Sequence, residues 1–422
     1  MRHLLSLCLL LIASTLSART RTDSLLITEL RDMGLKAYPT RDISIYTTGT
    51  ECFDAMFADI DRAQRKVWVE FMIIANDSIG KLALWHLEQA AGRGVDVRLI
   101  DDDYKDFERG YGLRTQHGQD SIRSLGIDFI LFDHFHYPWL NHVCRDHRKL
   151  VNVDDSIGYI GGLNIADYYV RGNPQRYGAW RDCFIRITGA AVEGINRMII
   201  EHYKRYGGTK PNDFARYLFD QDYERYHATK DDSAQACPVV VYFERSRVTV
   251  EKQKETRRAI AAAIDAAQDT LRLVTPYFLP SHNVRHALRC ALKRGVHVEI
   301  LFSQVGDQDF FSCGNYHYAK KLWQRGAHIY LYRGAFHHSK IMMIDGEVSM
   351  VGSANLNCRS LKWDYEANSF VFSPEFTHRM DSIFEQDKLQ CDTFSLDYYH
   401  QHRSWRFRMA GFLVDRVLTP WI

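Results

Sequence analysis

Apolar runs of strand length and stretches of helical periodicity alternate along this chain, and the series is written twice. In the first round "KVWVEFMII" (66–74) reads as a buried strand, "GKLALWHLEQAAGRG" as a helix stopping at Gly94, and "VDVRLIDD" as the next strand. In the second, "TLRLVTPYFLP" (270–280), a helix through "RHALRCALKRG" and "VHVEILFS" repeat the order. Arg93-Gly94-Val95 lines up with Arg294-Gly295-Val296, an offset of 294 − 93 = 201, and "SLGIDFILF" from Ser124 with "QRGAHIYLY" from Gln324, an offset of 324 − 124 = 200. Strands alternating with helices in two rounds predict an α/β fold of two similar halves, each a mostly parallel or mixed sheet flanked by helices. The halves are expected at 40–226 and 239–395, joined by the polar stretch "HATKDDSAQACP" (227–238), where periodicity is lost.

Each half then reaches a near copy of one segment, "HRKLVNVDDSIGYIGGLN" (147–164) and "HHSKIMMIDGEVSMVGSAN" (337–355). Both fit His-x-Lys-x(4)-Asp-x(6)-Gly-[Gly/Ser]-x-Asn. Side chains two apart on a strand share a face, so His147 points with Lys149 and His338 with Lys340. The Asp-containing turns predict hairpins whose return strands bring Asn164 and Asn355 alongside. An imidazole, an ammonium, an amide and accessible N–H groups suit a tetrahedral anion such as phosphate. Two such clusters around one phosphate supply an attacking nitrogen and a general acid, which is covalent phosphoryl chemistry without a metal or other cofactor.

The 422 residues are enough for two or three domains with full cores, and a formal charge of +2 argues against a nucleic-acid-binding surface. Nine cysteines (Cys8, Cys52, Cys144, Cys183, Cys237, Cys290, Cys313, Cys358 and Cys391) show no zinc spacing, so no metal site is expected. The start, "MRHLLSLCLLLIASTLSARTRTD", has the layout of a signal peptide or a short N-terminal membrane anchor over residues 1–20. At the other end, 396–422 forms an amphipathic segment in which Trp405, Met409, Phe412, Leu413 and Val417 fall on one helical stripe. That stripe suits either an anionic lipid interface or packing on the core. The aromatic loop "FDHFHYPWLNH" ahead of His147 suits either bilayer contact or an aromatic wall of the pocket.

The doubled motif resembles that of the phospholipase D superfamily. Within it "TPYFLP", "WRDCFIRITGAAVEGI", "SANLNCRSLKWDYEANSFVF" and "WRFRMAGFLVDRVLTPWI" look most like bacterial cardiolipin synthases. The resemblance implies a pseudo-twofold bilobal unit with one shared active site and a catalytic set of His147, Lys149, Asp154, His338, Lys340 and Asp345. His147 would be the nucleophile and His338 the acid. The two aspartates sit at the turns and are expected to brace the hairpins. Asp182 and Glu366 stand where the family keeps a carboxylate that orients a histidine. Phosphatidylglycerol and cardiolipin would be the partners, handled by a monomer at the outer face of the bacterial cytoplasmic membrane. The same residues also serve lipid hydrolysis, the alternative reading, with a nuclease further off. One departure stands out: many cardiolipin synthases begin with two membrane-spanning helices, and this chain has one short apolar segment.

Overall fold

The computed structural model describes residues 21–104, 112–113, 115–132, 144–172, 178–206, 238–246 and 249–419. The N-terminal segment 1–20, all of the aromatic loop after Phe132 and nearly all of the expected linker lie outside the described residues.

Sixteen strands form two sheets among these residues. A short strand β1 (Ala37–Pro39) is followed by β2 (Asp42–Tyr46), β3 (Lys66–Phe71), β4 (Asp96–Asp102) and β5 (Asp128–Phe132). The first motif hairpin, β6 (Lys149–Val153) and β7 (Ile157–Gly161), comes next, and then β8 (Phe184–Thr188). The second series is β9 (Val239–Arg245), β10 (Thr270–Val274), β11 (His297–Ser303) and β12 (His328–Tyr332), then the hairpin β13 (Ile341–Ile344) and β14 (Val348–Gly352), β15 (Glu366–Phe372) and β16 (Cys391–Thr393). The orders β2-β8-β7-β6-β3-β4-β5 and β9-β15-β14-β13-β10-β11-β12 are the same seven-strand pattern. The second sheet is extended by β16 beside β12 and by β1 beside β9. Residues 37–39, which precede the first half in sequence, therefore belong to the sheet of the second.

Both sheets are mixed, with fewer parallel pairings than the crossover units suggest. Only β3-β4-β5 and β10-β11-β12 run parallel, and every other pairing is antiparallel. The parallel triplets are the part with helical crossovers. Tight turns join β6 to β7 and β13 to β14, which forces antiparallel pairing within each motif hairpin. Gly94 and Gly295 end equivalent helices, Ser78–Gly92 and His282–Arg294, with φ of +86° and +89°. That left-handed geometry explains the glycine seen at the same place in both rounds.

Three apolar clusters hold the layers together. One backs each sheet on its outer side, and the third lies between the halves, joining Trp68, Ile100 and Ile185 to Tyr242, Met343 and Val371. Helices Val192–Tyr206 and Pro374–Lys388 contribute to this middle layer. The approach is close: a Cβ on Gly194 would meet the Tyr242 ring at 2.1 Å.

The motif aspartates act far from the mouths of the hairpins. Asp154 accepts the N–H groups of Gln64, Arg65 and Lys66 at 2.8–2.9 Å, clamping the start of β3. Asp345 accepts those of Gln268, Asp269 and Thr270 at 2.7–2.9 Å, clamping the start of β10. Each hairpin is thereby pinned to the neighbouring strand, which sets how far its histidine projects. Asp154→Ala and Asp345→Ala each remove three hydrogen bonds to a carboxylate, leaving one half-buried donor unpaired, and are expected to cost about 2 kcal/mol each, read as lowered urea midpoints. A loss below about 0.5 kcal/mol in both would show that the clamps contribute little.

Candidate active site

The two hairpins deliver their histidines to the seam between the halves. There the main chain crosses over: His147 N–H donates to the Tyr365 carbonyl at 2.9 Å, and His338 N–H to the Arg181 carbonyl at 2.6 Å. The residue after each carbonyl is an acid that takes the imidazole of the same histidine. His147 Nδ1 lies 3.0 Å from Glu366 Oε2, and His338 Nδ1 lies 2.7 Å from Asp182 Oδ2. Each motif histidine is thus held twice by the opposite half. With Nδ1–H donated to the carboxylate, Nε2 keeps the lone pair.

The one variable position inside the motif follows from these acids. In the first half it is Gly162, and a Cβ there would fall 2.2 Å from Asp182 Oδ1. In the second it is Ser353, whose hydroxyl donates to Glu366 Oε2 at 2.5 Å. The shorter acid sits close to the return strand and requires glycine. The longer one reaches past it and is steadied by the hydroxyl.

His147, His338, Asn164 and Asn355 line one cavity of about 620 Å³, together with Tyr104, Tyr168, Trp180, Tyr277, Asp307 and Arg359. The Oδ1 atoms of both asparagines are buried without hydrogen-bond partners, so each amide has capacity left for a ligand oxygen or donor. Lys149 and Lys340 are fully buried. Lys149 Nζ donates to the His147 carbonyl at 2.5 Å. Lys340 donates to the His338 carbonyl and lies 2.8 and 3.0 Å from the two ring nitrogens of His338. Of the ten residues singled out from the sequence, His147, His338, Asn164 and Asn355 line the cavity, Lys149, Lys340, Asp182 and Glu366 contact the two histidines, and Asp154 and Asp345 do neither.

Burial sets the charge state. It pushes His147 well below the usual imidazole range, helped by the ammonium groups of Lys149 and Lys340. Burial and Lys340 likewise take His338 down to about 3, against the opposing pull of Asp182. Lys340 falls to about 7 and Lys149 to about 8, chiefly by desolvation. Glu366 rises to about 7 for the same reason, despite Ser353 and the lysines. An incoming phosphodiester anion would raise the proton affinity of every base around it.

Other contacts escaped the sequence reading. Tyr169 places its hydroxyl 3.1 Å from His338 Nδ1, and the Trp180 ring packs 5.3 Å from that imidazole, centroid to centroid. Behind His147, Arg148 pairs with Glu244 at 2.7 Å and approaches Glu70 at 3.6 Å, tying the two sheets together. Glu70, Asp146 and His202 form a buried group of metal-ligand spacing among the described residues. His202 Nδ1 already contacts Glu70 Oε1 at 2.6 Å, and the Arg148 guanidinium supplies positive charge there. These residues come from β3, the loop before His147 and a helix, so no local spacing announced them.

The family described as "Cardiolipin synthase, PLD-like domain" matches residues 56–174 and 260–388, one copy on each half. The chain is similar to the cardiolipin synthase of Listeria innocua, 28% identical over 391 residues that cover 90% of this chain and 75% of the relative. It is similar to that of Oceanobacillus iheyensis at 28% over 383 residues, 90% and 74% of the two chains. Among solved structures, phosphatidylserine synthase of Haemophilus influenzae shares the fold, with a TM-score of 0.66 over 96% of this chain and all of that one, at 15% identity.

The depressed histidines have a measurable sign. An unfolded-state imidazole takes its proton near pH 6.5, whereas buried His338 stays neutral down to about 3. Its contribution to stability is therefore lost as pH falls below about 6.5, by about 1.4 kcal/mol per pH unit. Nitrogen-15 NMR of the histidine side chains at pH 5.5 should find His147 and His338 as neutral imidazoles. Imidazolium signals for both at that pH would refute this account of the site.

Proposed function

This chain belongs to the cardiolipin synthase, phospholipase D-like family, whose pattern covers both of its halves. From that premise we propose that it is a phosphatidyltransferase making cardiolipin from two molecules of phosphatidylglycerol. The observation that carries the reading is the pair of histidines on one cavity, each braced by a carboxylate of the other half.

In the first step His147 Nε2 attacks the donor phosphorus. The bond to glycerol breaks, and the departing oxygen takes a proton from His338, which becomes the acid once the anionic substrate has raised its proton affinity. The phosphatidyl group is left on His147, and the charge on that ring faces Glu366. In the second step a hydroxyl of another phosphatidylglycerol gives its proton to His338 and attacks phosphorus. The N–P bond breaks and His147 is restored. Lys149, Lys340, Asn164 and Asn355 hold the non-bridging oxygens as charge shifts. Asp182 and Glu366 fix the ring orientations and stabilise the imidazolium form that each histidine adopts in turn.

Among the described residues no helix is long and apolar enough to cross a membrane. The C-terminal helix Trp405–Leu413 packs by Gly411, whose Cβ position lies 2.3 Å from the Cys313 carbonyl, and by buried Val414. Its stripe of Trp405, Met409, Phe412, Leu413 and Val417 is exposed. One face of the segment therefore packs on the core and the apolar stripe is left exposed, which supports the reading of that stripe as a lipid contact. Arg406 and Arg408 on the same helix favour an anionic surface. We place the enzyme as a monomer on the outer face of the bacterial cytoplasmic membrane, with residues 1–20 as the export signal or anchor.

Supplied with phosphatidylglycerol, the purified protein should release glycerol and form cardiolipin, whereas phosphatidic acid as the main product would show a hydrolase. His147→Asn and His338→Asn should each lower turnover by on the order of 10³-fold or more while leaving the thermal transition cooperative. Replacing Trp405, Met409 and Phe412 together by serine should weaken binding to phosphatidylglycerol vesicles at least about tenfold. Unchanged flotation with such vesicles would remove the terminal helix from the membrane contact.

A further inference from the structure

The reacting phosphate uses two histidines, two lysines and two asparagines, yet the acceptor brings a second phosphate of its own. Cardiolipin holds two phosphodiesters on one glycerol, so the attacking hydroxyl lies a three-carbon bridge away from another negative charge. A site that favours this acceptor over water or a neutral alcohol has to receive that charge inside the cavity.

Arg359 meets the requirement. It stands on the short helix Cys358–Lys362 that follows "SANLN" and lines the same cavity as His147, beside Asn355, Asn357 and Tyr104. Among the described residues it is the one arginine or lysine lining that cavity, the motif lysines Lys149 and Lys340 being seated behind its histidine end on the backbone carbonyls of His147 and His338. Its Nε donates to Asp364 Oδ2 at 2.8 Å, and the other oxygen of Asp364 accepts the Arg145 N–H at 3.0 Å. The acid is therefore anchored at one end and holds the guanidinium at the other. Nη2 of Arg359 is buried and has no hydrogen-bond partner. An unpaired guanidinium nitrogen out of water is costly, and a phosphate oxygen is the partner its planar fork fits best. The other acids on the wall have partners of their own. Asp77 accepts the N–H groups of Gly80 and Asp167, and Asp307 accepts the Tyr277 hydroxyl.

We propose that Arg359 binds the phosphodiester of the acceptor lipid and so selects an anionic phospholipid alcohol as the second substrate. This rests on the transferase reading above and adds to it the residue that recognises the acceptor. Two acceptors separate the roles, because free glycerol carries no phosphate but returns through the same phosphohistidine. Cardiolipin formation from phosphatidylglycerol and exchange of labelled glycerol into phosphatidylglycerol would be measured side by side on the full chain.

In Arg359→Gln the ratio of cardiolipin formation to glycerol exchange should fall about 100-fold, and Arg359→Lys should recover part of it. A proportional fall in both rates would assign Arg359 to the reacting phosphate or to the fold, and an unchanged ratio with normal rates would remove it from recognition. Either result overturns the proposal. The transferase reading is judged separately, by whether the unaltered protein makes cardiolipin at all.

Discussion

Everything in this molecule that bears on chemistry depends on an exchange between its halves: each histidine is gripped by a carbonyl and a carboxylate that the other half provides. The grip is geometric before it is electrostatic. Because the carbonyl and the acid are consecutive residues, Tyr365 with Glu366 and Arg181 with Asp182, the backbone bond sets the register in which the side-chain bond can form. Neither half contains a finished site. The apolar layer between the sheets, the Arg148 to Glu244 ion pair and the tight seat of Gly194 on Tyr242 all hold the seam at the spacing this exchange requires.

Holding two imidazoles, two ammonium groups and two carboxylates out of water is an arrangement that stability alone would not select, since apolar residues of the same volume would serve the core as well or better. The lysines and histidines lean toward their neutral forms, and the acid beside His147 leans toward its protonated form. A diester anion relieves this by restoring partners to the cations. On the proposed mechanism binding and activation are the same event: the charge that the substrate brings turns a neutral imidazole into a proton donor.

The repeat and its chemistry were legible in the sequence because both are local. Constant offsets of 200 and 201 revealed the halves, and the two-residue spacing of His and Lys revealed the shared face. The partners of the histidines, Asp182 and Glu366, were named through the resemblance, but not which ring each one serves. Glu366 lies 219 residues from His147 and Asp182 lies 156 from His338, and no spacing rule reaches across the halves to say which acid serves which ring. The Gly162 and Ser353 alternative was visible, but its cause, a short acid against a long one, needed the fold. The excess of antiparallel pairing was hidden because apolar runs show that a strand is buried and not which way its neighbour points. Arg359 lay inside "SANLNCRSLKWDYEANSFVF" without being distinguished there, and the Glu70, Asp146 and His202 group gave no signal because it is assembled from separate elements.

The small strand β1 carries a consequence of its own. The chain enters through the edge of the second sheet, with helix Arg21–Asp32 packed beside it, and only then builds the first half. The two lobes are consequently stitched twice, once by the covalent connection across 207–237 and once by this strap along β9. A protease nick in that connection would cut the polypeptide without parting the lobes, and the resulting two-piece assembly would still present both histidines to one substrate.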